Sequence, residues 1–402
     1  MPEGRRILAV GNMYPPHDLG GGYELTFRSA IGHLRRSGDR VRVLTGDFRA
    51  PGLEPEAELD DDVYRELYLY WEDYAFPHRA VRERIAIERH NARTLDAQVE
   101  DFRPDVVNWW GMGGMSLSLV ERIRRAAIPA IGVVGDEWMV WGQRADAWIR
   151  PFRGRPRLAA LAERLTGLPT RPDLSSAATW LFNSEHVRRR VIEAAGALSS
   201  TAVLHPGIDD RLFRPAPQRP WGWRLLYLGR LDARKGVMTL IEALPMLPEG
   251  ATVVLQGSGD EAYVASLRRR CRELGLEAGV RFQHEPRERL PAVYAEADVV
   301  VFPVTWEEPW GLVPLEAMAV GRPVVATGTG GSAEYLQNGK NCVIFEPRDS
   351  PQALATALLR LAEDPELRDK VRAAGFKTVS RFTEDGYNEG IGSALHSVTG
   401  SG

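Results

Sequence analysis

Short apolar runs alternate with amphipathic segments along this chain, and that alternation limits its possible folds more than any other feature. "RILAVGN" has the pattern of a buried strand, "YELTFRSAIGHLRRSG" that of an amphipathic helix, and "DRVRVLTG" that of a second strand. "PDVVNWWG" and "IPAIGVVGDEW" are later strands of the same kind. Strands that alternate with helices predict a parallel, doubly wound sheet of the α/β class.

The alternation stops once, in a proline-rich stretch from Leu204 to Trp223, and then starts again. The second series contains the strands "RLLYLGR", "ATVVLQGSG", "VRFQ" and "DVVVFPV", each followed by a helical or loop segment. A chain of 402 residues exceeds the size at which one hydrophobic core usually stops growing. We therefore predict two Rossmann-like domains, residues 1–205 and 206–382, with the ligand site in a cleft between two facing sheets.

Composition argues against several function classes. The net charge of −3 gives no reason to expect nucleic acid as a partner. The two cysteines, Cys271 and Cys342, predict neither a disulfide framework nor a cysteine-rich metal site, and they fit a reducing cytoplasm. No apolar run approaches the roughly 20 residues of a transmembrane helix. The first apolar run is expected to be a strand rather than part of a signal peptide.

Two carboxylates flank an apolar segment in "WEEPWGLVPLEAMAVGRPVVATGTGGSAEYL". Glu308 follows the strand "DVVVFPV", and Glu316 falls in the first turn of the helix "PLEAMAV". Between them, the backbone N–H groups of Gly311, Leu312 and Val313 would lie at a helix N-terminus, which favours an anion. A nucleotide-sugar needs N–H donors for its pyrophosphate and carboxylate acceptors for its hydroxyls. Taken alone, the pair also fits a helix-start charge and a solvated loop residue.

Basic residues and glycines supply further candidates. "YLGRLDARKG" places Arg230 and Lys235 at the end of a buried strand, where two cations can hold two phosphates and stabilise a departing diphosphate. "YPPHDLGGGYEL" places Gly20, Gly21 and Gly22 between the first strand and the first helix, where backbone can approach a ligand closely. The run lacks the G-x-G-x-x-G dinucleotide fingerprint, so an ordinary turn is the alternative.

The ordered set "GGGYE", "HPGIDDRLFRP", "YLGRLDARKG", "GSGD" and a Glu-x7-Glu motif before "GRPVVATGTGGSAEYL" resembles the retaining glycosyltransferases of family 4. The resemblance implies the GT-B architecture of two Rossmann-like domains, with acceptor bound by the first and nucleotide-sugar by the second. It also implies that a final helix, about residues 383–402, packs back onto the first domain. No cofactor is implied, because the nucleotide-diphosphate sugar is a substrate.

The resemblance also assigns roles to the candidate residues. Glu308 is expected to bind hydroxyls of the donor sugar, and Glu316 to bind the ribose. Arg230 and Lys235 are expected to hold the diphosphate, and Gly21 and Gly22 to close over the phosphate. Backbone donors are expected from the turn made of Trp310, Gly311, Leu312 and Val313.

Retention of configuration is expected to proceed by front-face displacement, in which the leaving diphosphate oxygen takes the acceptor's proton. Arg230 and Lys235 are expected to replace a metal ion. The acidic run Asp60–Asp62 is interpreted as a solvated loop rather than a metal site. The sequence departs from many relatives at Gly135, where they carry a histidine; Asp136 follows it, as a candidate catalytic group or as a cap for the next helix.

The acceptor is expected to meet the first domain. Trp109, Trp110, Trp138 and Trp141 follow strand ends, and indole faces stack on sugar rings, so a sugar or cyclitol acceptor is predicted. Residues 143–172 carry seven arginines against two acids. This segment is either a solvated basic lid or a surface for an anionic acceptor or anionic lipid headgroups, which adds peripheral membrane contact to the expected cytoplasmic location.

The predicted function is therefore transfer of a hexose from a nucleotide-diphosphate sugar to a hydroxyl of a small-molecule, glycan or natural-product acceptor. Sugars, cyclitols and lipid-linked molecules are the candidate acceptors. A UDP-sugar is favoured, because UDP is the common donor in the family, and a GDP-sugar is the other option. Two alternatives stay open: a nucleotide-sugar 2-epimerase or hydrolase of the same build, and a non-catalytic nucleotide-sugar-binding module. The sequence does not determine the oligomeric state.

Overall fold

The computed structural model describes residues 4–18, 21–50, 52–54, 60–72 and 75–399. The chain forms two compact units, one made of residues through His205 with those from Asp385 onward, the other of Pro206–Glu384. Gly20 and Leu59 lie outside the described residues. None of the described helices is both long enough and apolar enough to span a membrane.

The first unit is a seven-stranded sheet with the order β3-β2-β1-β4-β5-β6-β7, and all of its strand pairs are parallel. Its strands are β1 Arg6–Gly11, β2 Arg40–Gly46, β3 Val63–Leu67, β4 Val106–Trp109, β5 Ala130–Val134, β6 Thr179–Phe182 and β7 Thr201–Val203. Its first helices are α1 Gly22–Arg36, α2 Val81–Phe102, α3 Ser118–Arg125, α4 Trp138–Ala145, α5 Pro156–Thr166 and α6 Glu185–Ala195.

The second unit is a six-stranded parallel sheet with the order β10-β9-β8-β11-β12-β13. Its strands are β8 Arg224–Leu228, β9 Thr252–Gln256, β10 Val280–Gln283, β11 Val299–Phe302, β12 Val324–Ala326 and β13 Val343–Ile344. Its helices are α7 Val237–Ala243, α8 Glu261–Glu273, α9 Leu290–Glu296, α10 Val313–Val320, α11 Pro351–Glu363 and α12 Pro365–Val379. A final helix, α13, spans Glu384–Thr399.

Both sheets are doubly wound. The first three strands of each sheet add successively toward one edge, and the next strand lies beside the first and starts a second series toward the other edge. The central strands are buried on both faces, as their unbroken apolar runs predict; in β1, Ile7, Leu8, Ala9 and Val10 are fully buried. The predicted α/β class with two doubly wound parallel sheets is thereby confirmed.

Helix α13 belongs to the first unit from Asp385 onward. Its apolar face, with Tyr387, Ile391 and Leu395, joins the core formed by β1 and α1. Asn388 Nδ2 donates to Ser29 Oγ at 2.9 Å. The final segment thus completes the hydrophobic core of a sheet whose strands end nearly two hundred residues earlier in the chain.

The structure adds strands that the sequence pattern did not indicate. β3 follows the acidic run at once, and Asp60 in that run accepts hydrogen bonds from Tyr14 Oη and Arg28 Nε, both at 2.9 Å. The acidic run is therefore only partly a solvated loop, because one of its carboxylates is paired. The proline-rich stretch also differs from a plain linker: Ile208 and Phe213 are buried in the core of the second unit.

A buried cluster of polar groups lies beside α2 and the start of α3. Glu88 accepts a hydrogen bond from Tyr70 Oη at 2.7 Å and one from Ser118 Oγ. Asp146 accepts backbone N–H bonds from Leu117, Trp148 and Ile149, each at 2.9 Å. Burial and then the Asp146 carboxylate raise the pKa of Glu88 to about 8. The folded protein therefore keeps Glu88 protonated at pH values where an unfolded chain ionises it.

A raised carboxyl pKa makes stability fall as pH rises, because between the unfolded and folded pKa values the folded state binds more protons. For Glu88 that window runs from about 4.5 to about 8. We expect Glu88→Gln to remove up to about 1.4 kcal/mol per pH unit of this dependence. Urea unfolding of both proteins at pH 5 and pH 8 measures the difference, with Glu100→Gln, a position elsewhere on α2, as the control. Equal pH dependence in the three proteins would contradict the assignment.

Candidate active site

The second unit changes its winding direction between β8 and β11, which lie side by side in the sheet. Segments that leave the carboxyl ends of two such strands diverge, and a ligand crevice opens there. The segment after β8 carries Arg230 and Lys235, and the segment after β11 carries Glu308. The structure therefore brings both predicted cations and the first predicted carboxylate to one edge of one sheet.

Lys235 and Glu308 form an ion pair across this edge. Lys235 Nζ lies 2.6 Å from Glu308 Oε2, and the Glu308 side chain is 10% exposed. Trp306 Nε1 donates to the same oxygen at 3.0 Å, and the Lys235 ammonium lies 5.2 Å from the centre of the Trp306 ring. These contacts between described residues all use Oε2. The other carboxylate oxygen, Oε1, is thus the acceptor left for a ligand hydroxyl.

Lys235 reaches this position because the chain turns tightly after β8. Asp232 Oδ1 accepts the N–H of Arg234 at 2.9 Å and starts a 3₁₀ turn over Ala233–Lys235. Gly236 follows at φ +69°, and a Cβ there would lie 1.8 Å from the carbonyl oxygen of Pro303, just beyond β11. Only glycine permits that backbone angle and that approach. At the "RKG" of the sequence, the segment after β8 therefore passes close to the segment after β11. This close approach places the Lys235 side chain next to Glu308.

The loop after β12 supports Glu308 from the other side. Gly330 has φ +60°, and a Cβ there would lie 2.4 Å from the Glu308 carbonyl oxygen and 2.7 Å from its nitrogen. The N–H of Gly331 donates to the same carbonyl at 2.7 Å. Thr329 Oγ1 donates to the carbonyl of Trp306, also at 2.7 Å. The glycines of "GTGGS" thus let a loop hold the backbone of the carboxylate, a role that the sequence alone did not indicate.

Glu316 lies in the first turn of α10 and is 4% exposed. Arg287 Nη1 donates to its Oε1 at 3.2 Å, and Tyr294 Oη donates to its Oε2 at 2.7 Å. Burial and then the Glu316 carboxylate raise the pKa of Tyr294 well above its ordinary value, so the phenol stays a donor. The second carboxylate is therefore oriented by two side chains, which gives its acceptor lone pairs a fixed direction.

The turn between the two carboxylates is anchored by Trp310, whose side chain is 3% exposed. Its ring packs on Tyr335 and Phe382, with centroid distances of 4.9 Å and 5.2 Å. Gly311 has φ +85°, and helix α10 begins at Val313. The indole of Trp310 is a core anchor, while the backbone at residues 311–313 lies at the start of the helix, as predicted.

Arg230 is exposed at the same edge. Its backbone is fixed by Tyr227 Oη, which donates to the Arg230 carbonyl at 2.6 Å. Arg234, which the sequence pattern did not single out, pairs with Asp232 at 3.0 Å and lies 4.8 Å above the centre of the Trp306 ring. The edge therefore carries the exposed guanidinium of Arg230 beside two cations, Lys235 and Arg234, that already face carboxylates.

Sequence reasoning also missed Arg287, Tyr294 and Trp306. A signal for the first two was present, because they lie seven residues apart, a spacing that puts two side chains on one face of a helix. Trp306 lies two residues before Glu308 and had no comparable signal.

The glycine run of the first unit is described from Gly21 onward. Gly21 has φ −83° and precedes α1, and Gly22 is the first residue of that helix. A Cβ on Gly21 would meet the Glu24 carboxylate at 2.1 Å. Gly21 is the N-cap residue and makes no side-chain cap hydrogen bond, and without a Cβ its backbone can approach a ligand closely. That geometry fits the predicted phosphate contact, which stays a prediction.

Gly135 and Asp136 follow β5. A Cβ at Gly135 would lie 2.2 Å from the ring of Tyr23, whose Oη donates to the Val133 carbonyl at 2.6 Å. Asp136 Oδ1 accepts the N–H of Trp138, the first residue of α4, at 2.7 Å. Burial raises the pKa of Asp136 to about 6. The N-cap residue of α4 is Glu137, so the contact does not decide between the two interpretations of Asp136, and both stay predictions.

The tryptophan prediction is wrong for three of its four residues. Trp109 and Trp110 are fully buried and Trp138 is 1% exposed, so their ring faces pack in the core and cannot stack on an acceptor. Trp109, the last residue of β4, and Trp138, the first residue of α4, belong to one core cluster of the first unit, and Trp110 belongs to another. Trp141 is the exception, at 37% exposed, with its ring near Phe76 at a centroid distance of 6.5 Å.

A metal site is not evident in the part of the chain that the structure describes, where no group of three or more His, Cys, Asp or Glu side chains could hold an ion.

Residues 212–378 match the family described as glycosyl transferases group 1. The matched segment contains both carboxylates, both cations and the glycine loop described above. The second unit, Pro206–Glu384, is therefore similar over most of its length to a group 1 glycosyltransferase domain.

Among curated relatives, the chain is 33% identical over 219 residues to a GDP-mannose-dependent alpha-(1-6)-phosphatidylinositol monomannoside mannosyltransferase of Mycobacterium tuberculosis. The alignment covers 50% of this chain and 56% of the relative. A D-inositol 3-phosphate glycosyltransferase of Corynebacterium urealyticum is 36% identical over 189 residues, 42% of this chain and 44% of that protein. The chain thus spans about half the length of the curated relatives it matches.

Two solved structures resemble almost the whole chain. Anabaena Alr3699/HepE in complex with UDP and glucose gives a TM-score of 0.70 at 22% identity, over 98% of this chain and all of the other. Sucrose-phosphate synthase from Thermosynechococcus elongatus gives a TM-score of 0.75 at 20% identity, over 99% of this chain and 100% of that chain. The likeness confirms the predicted fold, the two Rossmann-like domains of the GT-B class.

Gly330→Ala tests whether the loop after β12 sets the position of Glu308. Gly339→Ala is a matched control, because Gly339 has φ +67° in the same unit but no heavy atom lies within 4 Å of the place that a Cβ would occupy. The control should lose about 1–2 kcal/mol of unfolding free energy through the left-handed angle alone. Gly330→Ala should lose roughly 3 kcal/mol or more, since its methyl group also displaces the Glu308 backbone. Equal losses in chemical denaturation would contradict the supporting role.

Proposed function

We propose that this protein is a retaining glycosyltransferase that moves a hexose from a nucleotide-diphosphate sugar to a hydroxyl group of an acceptor. One observation carries the proposal: in a unit similar to a group 1 glycosyltransferase domain, two buried carboxylates, Glu308 and Glu316, flank a helix start beside Lys235 and Arg230. Buried carboxylates need partners, and a sugar nucleotide supplies hydroxyl donors at both positions.

In this proposal each carboxylate binds a different diol. Glu316, oriented by Arg287 and Tyr294, accepts hydrogen bonds from the ribose. Glu308 accepts from the hexose through Oε1 while Lys235 stays on Oε2. An ammonium group has three N–H donors, so Lys235 can keep this bond and still donate to a phosphate oxygen. The exposed Arg230 provides the planar fork for the second phosphate.

The chemical step then follows from these positions. The bond between the anomeric carbon and the phosphate oxygen breaks, and a bond forms from the same face to the acceptor oxygen. The acceptor's proton passes to the leaving phosphate oxygen, so no separate base is required. Lys235 and Arg230 stabilise the negative charge that grows on the diphosphate, and they take the place of a metal ion in this mechanism.

Donor and acceptor are proposed by class. UDP-hexoses remain the sequence expectation, and GDP-mannose joins them because the relative of Mycobacterium tuberculosis is named as GDP-mannose-dependent. A cyclic polyol acceptor, sugar or cyclitol, is supported by the inositol compounds in the relatives' names. Trp141 takes the place of the buried tryptophans as the stacking side chain of the first unit.

The proposal is tested by incubating the protein with a panel of UDP- and GDP-hexoses, with and without sugars and inositols as acceptors. We expect acceptor-dependent nucleotide release and a product that NMR shows to keep the anomeric configuration of the donor. Nucleotide release without acceptor would assign a hydrolase, and a C2-epimerised donor would assign an epimerase. Binding without any turnover of a bound donor would assign the non-catalytic module.

Replacing Lys235 separates transition-state stabilisation from donor binding. We expect Lys235→Ala to lower kcat on the order of a hundredfold or more, the usual effect of removing one oriented donor from a developing oxyanion. Lys340→Ala, an exposed lysine of the same unit, is the control and should leave kcat unchanged. A Lys235 variant with a raised KM and normal turnover at saturation would confine this lysine to ground-state binding.

Chelation tests the proposed role of the cations. Because Lys235 and Arg230 are assigned the charge-stabilising work of a metal, we expect EDTA to leave initial rates unchanged, and added Mg²⁺ or Mn²⁺ not to raise them. Loss of turnover in EDTA that Mg²⁺ restores would show that the side chains do not suffice, and the mechanism above would fail while the glycosyltransferase assignment stands.

A further inference from the structure

A row of exposed leucines runs along α5, in the basic segment of the first unit. Leu158, Leu161 and Leu165 are 44%, 52% and 72% exposed. Their spacing of three and four residues places them on one face of the helix. Ala159, on the opposite face of the helix, is fully buried, which shows that this face packs against the rest of the protein. Isolated exposed leucines are ordinary on protein surfaces, but three in register form an apolar stripe that needs a partner.

The segment that contains this leucine stripe (Leu158, Leu161 and Leu165) is rich in arginine and poor in acids. Seven arginines lie in residues 143–172: Arg144, Arg150, Arg153, Arg155, Arg157, Arg164 and Arg171. Of the two acids in this range, Asp146 is buried and accepts three backbone N–H bonds. Glu163 pairs with Arg125, Nη1 to Oε1 at 2.6 Å. The segment that carries the stripe therefore has seven exposed arginines, and both of its acids already have partners.

The stripe does not result from a loosely attached helix. Trp148 Nε1 donates to the Pro169 carbonyl at 2.7 Å. This bond connects the residues before α5 to those after it. Thr170 Oγ1 donates to the Ala159 carbonyl at 3.1 Å, and Arg84 Nη1 donates to the Ala147 carbonyl at 2.8 Å. The helix is thus held from its inner side, and its outer face is presented to solvent by a fixed support.

We propose that this face of α5 docks on an anionic lipid bilayer. An 11-residue helix is too short to cross a bilayer, but it can lie in the headgroup plane with its apolar stripe directed toward the acyl chains. The arginines on its flanks then meet lipid phosphates, which gives the charge complementarity that the surface requires. A nucleic acid would use the arginines and leave the leucines in water, so a surface that is both anionic and apolar fits better.

Sedimentation with vesicles tests the proposal on the full chain and does not depend on glycosyl transfer. We expect binding to vesicles that contain phosphatidylglycerol, weak binding to pure phosphatidylcholine, and a loss of binding at high salt, because salt screens the arginine–phosphate attraction. Equal binding to both kinds of vesicle, or no binding to either, would overturn the proposal.

Two sets of variants separate the apolar and charged contributions. Arg153→Gln, Arg157→Gln and Arg164→Gln together should weaken binding on the order of a hundredfold, at roughly fivefold per arginine near an anionic surface. The matched control changes three exposed arginines of the same unit outside the segment, Arg36→Gln, Arg40→Gln and Arg189→Gln. Leu158→Ser, Leu161→Ser and Leu165→Ser together should abolish binding, whereas Leu53→Ser with Met246→Ser, two exposed apolar residues elsewhere, should not.

Insertion is measured directly with a fluorophore. Both native cysteines, Cys271 and Cys342, are buried, so a polarity-sensitive dye reacts selectively at Leu161→Cys. We expect its emission to shift to the blue on phosphatidylglycerol vesicles and to stay unchanged at a Leu53→Cys control site. A blue shift that instead follows protein concentration without vesicles, together with a dimer in sedimentation velocity, would assign the stripe to a second copy of the chain and reject the membrane.

Discussion

The ion pair between Lys235 and Glu308 is the contact on which the predicted site of the second unit depends. It lies at the edge of the sheet formed by the carboxyl ends of β8 and β11. It joins segments 73 residues apart, one after each of the two central strands where the winding direction changes. Taking either charge out of water alone would be unfavourable, so each stabilises the other at that low exposure. The tight turn that ends at Gly236 and the loop that contains Gly330 then fix the two backbones from which these side chains extend.

The cations at this edge of the sheet are of two kinds: those paired with a carboxylate, and Arg230. Three of them already face a carboxylate: Lys235 with Glu308, Arg234 with Asp232, and Arg287 with Glu316. Arg230 stands exposed beside them. The diphosphate of the proposed donor brings more than one negative charge, so under that proposal it draws on the paired lysine as well as on the exposed guanidinium. The ammonium group of lysine is compact and has three N–H donors. It can therefore donate to a carboxylate and to a phosphate at the same time.

The fold and the main residues of this edge could be predicted from the sequence because they follow from local patterns. Buried strands are apolar without interruption, and the spacing of Glu308 and Glu316 around a helix start is visible in the letters. Arg287 and Trp306 could not be placed in the same way, since their contacts depend on which segments the sheet brings together. The tryptophans failed for the opposite reason: a position just beyond a strand end indicates where a residue lies in the chain, but not whether its ring turns inward or outward. Trp110 turns in, with its ring stacked on Phe27 at a centroid distance of 4.5 Å.

The departure at Gly135 shows how a missing side chain is compensated within one unit. The Tyr23 ring occupies the space that a Cβ at Gly135 would enter, and its hydroxyl is held by the Val133 carbonyl two residues before. Asn183 Nδ2 donates to the Gly135 carbonyl at 2.7 Å and holds the backbone from the next strand. A histidine introduced at Gly135 would therefore have to displace Tyr23 and break its bond to β5. Gly135 and Tyr23 therefore depend on each other: the glycine leaves the space that the ring fills, and the tyrosine hydroxyl donates to the Val133 carbonyl of β5.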